Sequence, residues 1–152
     1  MHSMSDLGRR EFVVLATAAP AFGARFDGED ARWIEALMEQ IVPEDDVAGA
    51  KKAGCLSYLE VQLAGPLKRF ALDYEQGLRE FRSKYPKFLE MSFADQTGLL
   101  EGMGRNAFFE MLIDHTMQGF YGSPEHGGNR GEASWKMMGI EKYMGGGHWH
   151  GA

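Results

Sequence analysis

The feature that constrains this chain most is the spacing of its apolar residues, which recur at three- and four-residue steps over most of the sequence. Leu67, Phe70, Tyr74, Leu78 and Phe81 form one such stripe. No stretch shows the sustained alternation of β-branched residues that marks a strand. The sequence therefore predicts an all-α fold, an irregular bundle of about five or six helices with a glycine-rich C-terminal loop and tail.

Capping and helix-breaking residues set the limits of the predicted helices. Asp27 is placed to cap the first helix and Pro43 to stop it, and Ser92 is placed to cap a short one. The later helices are predicted over residues 50–63, 67–85, 92–100 and 106–120, with residues 133–138 as a candidate for a further short helix.

Length and charge limit the classes of protein to consider. The 152 residues, 44% of them hydrophobic, fit one ordinary domain. Sixteen Lys and Arg against 22 Asp and Glu give a formal net charge of −6 at pH 7, and the basic residues are scattered, so charge gives no support for nucleic-acid binding. The single cysteine, Cys55, excludes an intramolecular disulfide and a cysteine-only metal site.

The first 24 residues have the layout of an export signal. Arg9 and Arg10 precede an uncharged stretch that is too short to span a bilayer, and with Phe12 they resemble the twin-arginine pattern. A signal-peptidase cut after Gly23 fits the small residues there. The alternative is an amphipathic first helix of a cytosolic protein. Because the twin-arginine route carries folded proteins, the pattern indicates a partner that is loaded with a cofactor inside the cell.

No set of side chains in the sequence has the spacing of a catalytic or metal-binding site. None of the five histidines stands three or four residues from another on a helix, and a dinucleotide-binding glycine fingerprint is absent. We therefore assign no catalytic, cofactor-binding or metal-binding residue. His115 is interpreted as a polar group at the edge of the core and Cys55 as a small core residue. Asp45 and Asp46 are interpreted as a solvated turn rather than a general acid and base.

A glycine-rich segment, residues 120–135, is costly to hold in one conformation by itself, so we expect a partner to order it. The residues predicted to form this partner interface are Phe120, Tyr121, His126, Gly127, Gly128, Asn129, Arg130 and Trp135. One alternative is a surface loop with no partner. Another is a stand-alone small enzyme, or an independent binding protein, that uses His126 and Glu125.

The run from Gly119 to Arg130, continued by Trp135 and Gly139, resembles the signature of the gluconate 2-dehydrogenase subunit 3 family. The segment from Ile41 onward resembles the family's stretch after its first helix, in the same order, so the resemblance covers about residues 28 to 141. The chain departs from the family at Cys55, where an aliphatic residue is more usual, and in the tail from Gly145. The predicted organisation is an export signal over residues 1–24, a helical small-subunit domain over 25–144 and a flexible tail over 145–152.

The resemblance implies a non-catalytic subunit that binds no cofactor itself. Its partner would be a large flavoprotein of the glucose-methanol-choline type, which holds FAD and oxidises a sugar, a sugar acid or a polyol. A cytochrome c subunit is a further candidate partner, with haem c or an iron–sulfur cluster elsewhere in the complex. Family members with a twin-arginine signal export the catalytic partner and help it mature. We therefore expect a periplasmic protein that associates with the inner membrane only through the complex.

Overall fold

In the computed structural model of the chain, residues 26–144 are described. This part contains seven α-helices and no strand, which confirms the predicted all-α bundle. The helices are α1 (Gly28–Ile41), α2 (Cys55–Leu63), α3 (Ala71–Lys84), α4 (Phe93–Gly102), α5 (Ala107–Tyr121), α6 (Ala133–Met138) and α7 (Glu141–Met144), and 3₁₀ turns lie at Lys68–Phe70, Phe88–Glu90, Pro124–His126 and Arg130–Glu132. The predicted export signal and the predicted tail lie outside the described residues.

Two of the helix caps are the ones that the sequence predicts. The Asp27 carboxylate accepts a hydrogen bond from the backbone N–H of Asp30 at 2.7 Å, at the start of α1. The Ser92 hydroxyl accepts one from the backbone N–H of Asp95 at 3.1 Å, at the start of α4. Each bond satisfies a donor that the first helical turn leaves without an intrahelical partner.

The predicted apolar stripes form the core. On α1 the buried residues are Trp33, Ile34, Leu37 and Met38, and on α3 they are Tyr74, Leu78 and Phe81. Helices with one apolar stripe are stable only when that stripe is covered, so the bundle forms by packing these faces together. Among residues 26–144, no helix is both long enough and apolar enough to cross a membrane.

The structure corrects the predicted start of the second helix, which the sequence places at residue 50. Residues 50–54 form turns instead, and α2 begins at Cys55. The reason is Gly54, whose φ of 75° is left-handed and cannot continue a right-handed helix. The turn leaves the backbone of Ala53 and Gly54 open to contact from another part of the chain.

Helix α5 is the central element of the bundle, since it packs against α1, α2, α3 and α6. It crosses α3 closely at Gly77, where an added Cβ would stand 2.5 Å from Cγ of Phe108. The Phe108 ring in turn meets the Tyr74 ring edge to face, with centroids 6.0 Å apart. The position of α5 therefore fixes where the glycine-rich segment leaves the bundle.

The loop between α1 and α2 is held by one carboxylate. Glu39 accepts hydrogen bonds from the backbone N–H of Glu44 at 2.8 Å and of Lys51 at 2.9 Å. Gly49 lies inside this loop, where a Cβ would be 2.5 Å from the backbone nitrogen of Glu44. Asp45 and Asp46 are exposed here, and Asp45 accepts the Val47 N–H at 2.9 Å, which agrees with the predicted solvated turn.

Candidate functional site

The glycine-rich segment starts from the last turn of α5, which packs tightly on α2. Gly119 is buried, and a Cβ added there would be 2.8 Å from Cδ1 of Tyr58. The next residue, Phe120, is also buried, and its ring meets the Tyr121 ring edge to face at 5.0 Å. The helix ends at Tyr121, and the N–H of the next residue, Gly122, donates to the carbonyl of Gln118 at 2.9 Å.

The segment then returns over the end of α5 at Gly128. A Cβ on Gly128 would overlap the carbonyl oxygen of Gly119 and stand 2.9 Å from its carbonyl carbon. Two backbones can approach this closely only where neither carries a side chain between them. Gly127, one residue earlier, has a φ of 94°, so the turn into this contact also uses a left-handed conformation.

The Asn129 side chain forms hydrogen bonds with Gly122 on one side of the loop and with Ser134 on the other. Its Nδ2 donates to the carbonyl oxygen of Gly122 at 2.9 Å, and its Oδ1 accepts from both the N–H and the hydroxyl of Ser134, at 3.0 and 2.9 Å. Asn129 is fully buried and has a left-handed φ of 44°, a conformation that Asn tolerates better than most residues. One side chain therefore links the end of α5 to the start of α6.

Trp135 makes a second link between the same two helices. It is 5% exposed, and its indole N–H donates to the carbonyl of Tyr121 at 3.3 Å. Helix α6 ends at Met138, and the next residue, Gly139, has a left-handed φ of 68°. The N–H of Ile140 donates back to the carbonyl of Trp135 at 2.9 Å. This closing turn directs the chain into α7.

Arg130 fastens the segment to the turn before α2. Its backbone N–H donates to the carbonyl of Ala53 at 2.9 Å, and its Nη2 donates to the hydroxyl of Ser57 at 2.6 Å. The side chain lies against Gly54, where a Cβ would be 2.7 Å from Cδ of Arg130. Gly54 thus shapes the start of α2 and also leaves room for the arginine.

The structure divides the eight predicted interface residues by exposure. Tyr121, His126 and Arg130 are exposed and Gly127 is half-buried. The other four, Phe120, Gly128, Asn129 and Trp135, are buried in this chain's own fold. The predicted interface itself stays a prediction, but the buried residues can act on a partner only through the shape that they give the segment.

Among the described residues, some titratable side chains are exposed to solvent and others are buried. His126 Nε2 lies 3.6 Å from Glu125 Oε1, and both side chains are exposed. Cys55 is fully buried, as predicted, and burial raises the pKa of its thiol to about 12. A thiol with that pKa is protonated at neutral pH and is a poor nucleophile. Among residues 26–144, no group of three His, Cys, Asp or Glu side chains is placed to hold a metal ion.

His115 is more deeply buried than a core-edge position. It is 5% exposed, and its Nδ1 shares a 2.8 Å hydrogen bond with the Tyr74 hydroxyl. The rings of His115 and Phe70 meet edge to face, with centroids 5.2 Å apart. Burial lowers the pKa of His115, partly offset by the charge of Asp114. Burial also raises the pKa of Tyr74, so both groups of the pair are neutral at neutral pH.

The sequence does not single out six exposed large apolar side chains near the C-terminal end of the described residues. They lie on the last turns of α5 and on α6 and α7, and are Met117, Tyr121, Met137, Met138, Tyr143 and Met144. Of these only Tyr121 was in the predicted interface. The available signal was the density of Met and Tyr over residues 137–144, which follow the buried Trp135.

The chain is a small helical domain, and buried side chains of the glycine-rich segment bond it to helices α5 and α6. A family model described as gluconate 2-dehydrogenase subunit 3 matches residues 28–141, and the chain belongs to this family. This match confirms the family predicted from the sequence, which is that of a small subunit of a dehydrogenase complex. Neither the search of curated proteins nor the search of solved structures gave a match.

Proposed function

We propose that this chain is the non-catalytic small subunit of an FAD-dependent dehydrogenase complex of the gluconate, glucose, glucoside or fructose type. In this role it binds the large flavoprotein subunit, assists its maturation and carries it through the twin-arginine route to the periplasm. The observation that carries the proposal is the family match over residues 28–141, nearly all of the described domain. FAD then belongs to the large subunit and not to this chain.

The state of the titratable side chains supports an accessory role. An acid or base catalyst has to reach the substrate and exchange a proton near the working pH. Cys55 is buried with its pKa raised to about 12, and His115 is buried against Tyr74. The pair of His126 and Glu125 lies on a 3₁₀ turn, and both side chains are exposed.

The architecture of the glycine-rich segment supports a binding role. Asn129, Trp135 and Gly128 fix its shape with buried contacts, while Tyr121 and Arg130 remain exposed. A segment that is ordered in advance loses less conformational entropy when a partner binds. This arrangement suits a subunit whose task is recognition.

The export part of the proposal rests on Arg9, Arg10 and Phe12, which lie outside the described residues. The test is to replace Arg9 and Arg10 by Lys, which keeps the charge but changes the side chain that the export machinery reads. Both this chain and its flavoprotein partner are then expected to stay in the cytoplasm, as measured by fractionation and by flavin-dependent dehydrogenase activity in the periplasm.

The matched control replaces two exposed arginines of the domain, Arg79→Lys with Arg105→Lys, and is expected to leave export unchanged. If the flavoprotein still reaches the periplasm when Arg9 and Arg10 are lysines, the carrier role is wrong.

A further inference from the structure

Arg130 is held in place by three contacts with the start of α2. Its backbone N–H donates to the carbonyl of Ala53 at 2.9 Å, and Nη2 of its guanidinium donates to the hydroxyl of Ser57 at 2.6 Å. The stem of the side chain lies against Gly54, where an added Cβ would be 2.7 Å from Cδ of the arginine. The backbone, the stem and the guanidinium of Arg130 are therefore all fixed to the same turn.

The backbone around Arg130 has an uncommon conformation. Asn129, Gly131 and Glu132 have positive φ angles of 44°, 66° and 58°, although two of the three carry a side chain. Left-handed backbone at residues other than glycine costs conformational energy and persists only where the surrounding structure enforces it. Here the buried hydrogen bonds of the Asn129 side chain hold one end of the turn. Strained backbone of this kind is concentrated at binding and catalytic sites.

The guanidinium of Arg130 has no acidic partner in the described part of the chain. The residue is exposed, and it takes part in none of the ion pairs formed within residues 26–144, although the sequence has 22 acidic and 16 basic residues. A guanidinium has five N–H donors, and the bond to Ser57 uses one of those on Nη2. The positive charge and unused donors are therefore available to a molecule outside the domain.

The hydrogen bond to Ser57 does not by itself explain why this side chain is ordered. An exposed hydrogen bond to a hydroxyl adds little to folding stability, since water competes for both groups. Fixing a long side chain with several rotatable bonds costs conformational entropy. In a binding site the same ordering is useful, because an arginine that is already in position loses less entropy when it pairs with a ligand. The arrangement of Arg130 therefore fits recognition better than stabilisation of the fold.

The ligand that suits this group is a carboxylate on another protein. A guanidinium binds a carboxylate through two parallel hydrogen bonds, which a lysine ammonium cannot form. Arginine is also enriched among the few residues that dominate the affinity of a protein interface. The chain belongs to the family of a small subunit of a dehydrogenase complex, so the large subunit is the protein whose carboxylate would meet Arg130.

We propose that Arg130 binds an aspartate or glutamate side chain of the large flavoprotein subunit, and that Ser57 and Gly54 position its guanidinium for this contact. This inference rests on the function proposed above, and it gives one residue of the predicted interface a specific role. It assigns to the partner a carboxylate that is exposed before the two subunits assemble. Arg130 is then the main electrostatic contact of this chain with the flavoprotein.

The test is Arg130→Met in the full chain, measured by titrating the purified flavoprotein subunit onto it. Methionine keeps an apolar stem beside Gly54 and leaves the backbone bond to Ala53 in place, but it removes the charge and the donors. The matched control is Arg32→Met, because Arg32 is exposed on α1 and is also in none of the described ion pairs. We expect the affinity to fall about thirtyfold or more for Arg130→Met and less than about threefold for Arg32→Met.

Two further measurements separate a carboxylate contact from a structural role of Arg130. Arg130→Lys keeps the charge but not the planar fork, and should lower the affinity about tenfold. Raising the salt concentration from about 0.05 M to about 0.5 M should weaken binding of the unchanged chain more than binding of Arg130→Met, since salt screens an exposed ion pair. Urea denaturation shows whether each variant is folded under the conditions of the titration.

The inference is overturned if Arg130→Met binds as tightly as the unchanged chain, if Arg32→Met loses as much affinity, or if salt weakens both equally. In each of these cases the complex of the unchanged chain still supports the proposed function. If Arg130→Met is unfolded, Arg130→Lys decides, and an affinity within about threefold of the unchanged chain then counts against the inference. If the unchanged chain binds no flavoprotein, the proposed function fails and this inference with it.

Discussion

The side chain of Asn129 accepts two hydrogen bonds from Ser134, one from its backbone N–H at 3.0 Å and one from its hydroxyl at 2.9 Å. The same side chain donates to Gly122, so a residue of the loop closes the gap between α5 and α6. Since Asn129 has no exposed surface, these bonds have no competition from water. The glycine-rich segment is therefore ordered by hydrogen bonds within this domain.

Replacing Asn129 by Ala should destabilise the domain by about 3 kcal/mol. The change removes three hydrogen bonds, leaves the Ser134 donors buried without an acceptor and places Ala at a left-handed φ. Urea denaturation measures the free energy of unfolding. The control is Asn106→Ala, which loses one capping bond to the N–H of Phe109 and should cost about 1 kcal/mol. Equal costs for the two variants would contradict the role given to Asn129.

Replacing Gly128 by Ala should cost about 2–4 kcal/mol, because the added Cβ meets the rigid backbone of Gly119. The matched control is Gly98→Ala in α4, where a Cβ meets nothing within 4 Å. That change should stabilise the domain by about 0.5–1 kcal/mol, since Ala favours the helix. Thermal unfolding followed by circular dichroism distinguishes the two. A Gly128 variant as stable as the unchanged chain would show that the two backbones can separate freely.

The stability of the domain should fall as the pH drops below the ordinary His pKa of 6.5 because of His115. Its pKa is lowered by burial in the folded state, so the unfolded chain takes up the proton first on acidification. The stabilising contribution is therefore present above pH 6.5 and is lost as the pH falls through the folded pKa.

The comparison for His115 is His115→Gln, which keeps a polar partner for Tyr74 but does not titrate. Unfolding free energies measured at about pH 7.5 and about pH 5 should differ less for this variant than for the unchanged chain. Identical pH dependence in the two proteins would exclude His115 as the source.

Replacing His126 by Ala together with Glu125 by Gln should change the turnover number of the assembled complex less than about threefold. The pair is exposed and its Nε2 to Oε1 distance is 3.6 Å, so we assign it no proton-transfer role. Turnover is measured per flavin with the sugar or polyol substrate of the complex. A loss of about a thousandfold with the complex still intact would favour the alternative of an enzyme that uses this pair.

The regular part of the fold could be predicted because its signals are local. The caps at Asp27 and Ser92 and the apolar stripe through Tyr74, Leu78 and Phe81 depend on residues within a few positions of each other. The start of α2 was wrong by five residues because the deciding fact, the left-handed Gly54 against Arg130, joins positions far apart in the chain. A sequence pattern does not show which distant side chain will occupy the space beside a glycine.

The glycine-rich segment is visible in the sequence, but the contacts that hold it in place are not. The sequence identifies the glycine-rich segment, yet Asn129, Trp135 and Phe120 are buried where an exposed interface was expected for them. The pairing of Tyr74 with His115 bridges 41 positions and has no local signal. The exposure of Met137 and Met138 follows from how Trp135 anchors α6, which only the folded structure shows.

The most direct test of the account is to purify this chain with an affinity tag from cells that also produce its dehydrogenase complex, and to measure bound flavin and dehydrogenase activity. We expect a large FAD-containing subunit to co-purify and to carry the activity, while the chain produced alone is colourless and inactive. Flavin or turnover in the chain alone, or purification without any flavoprotein, would contradict it.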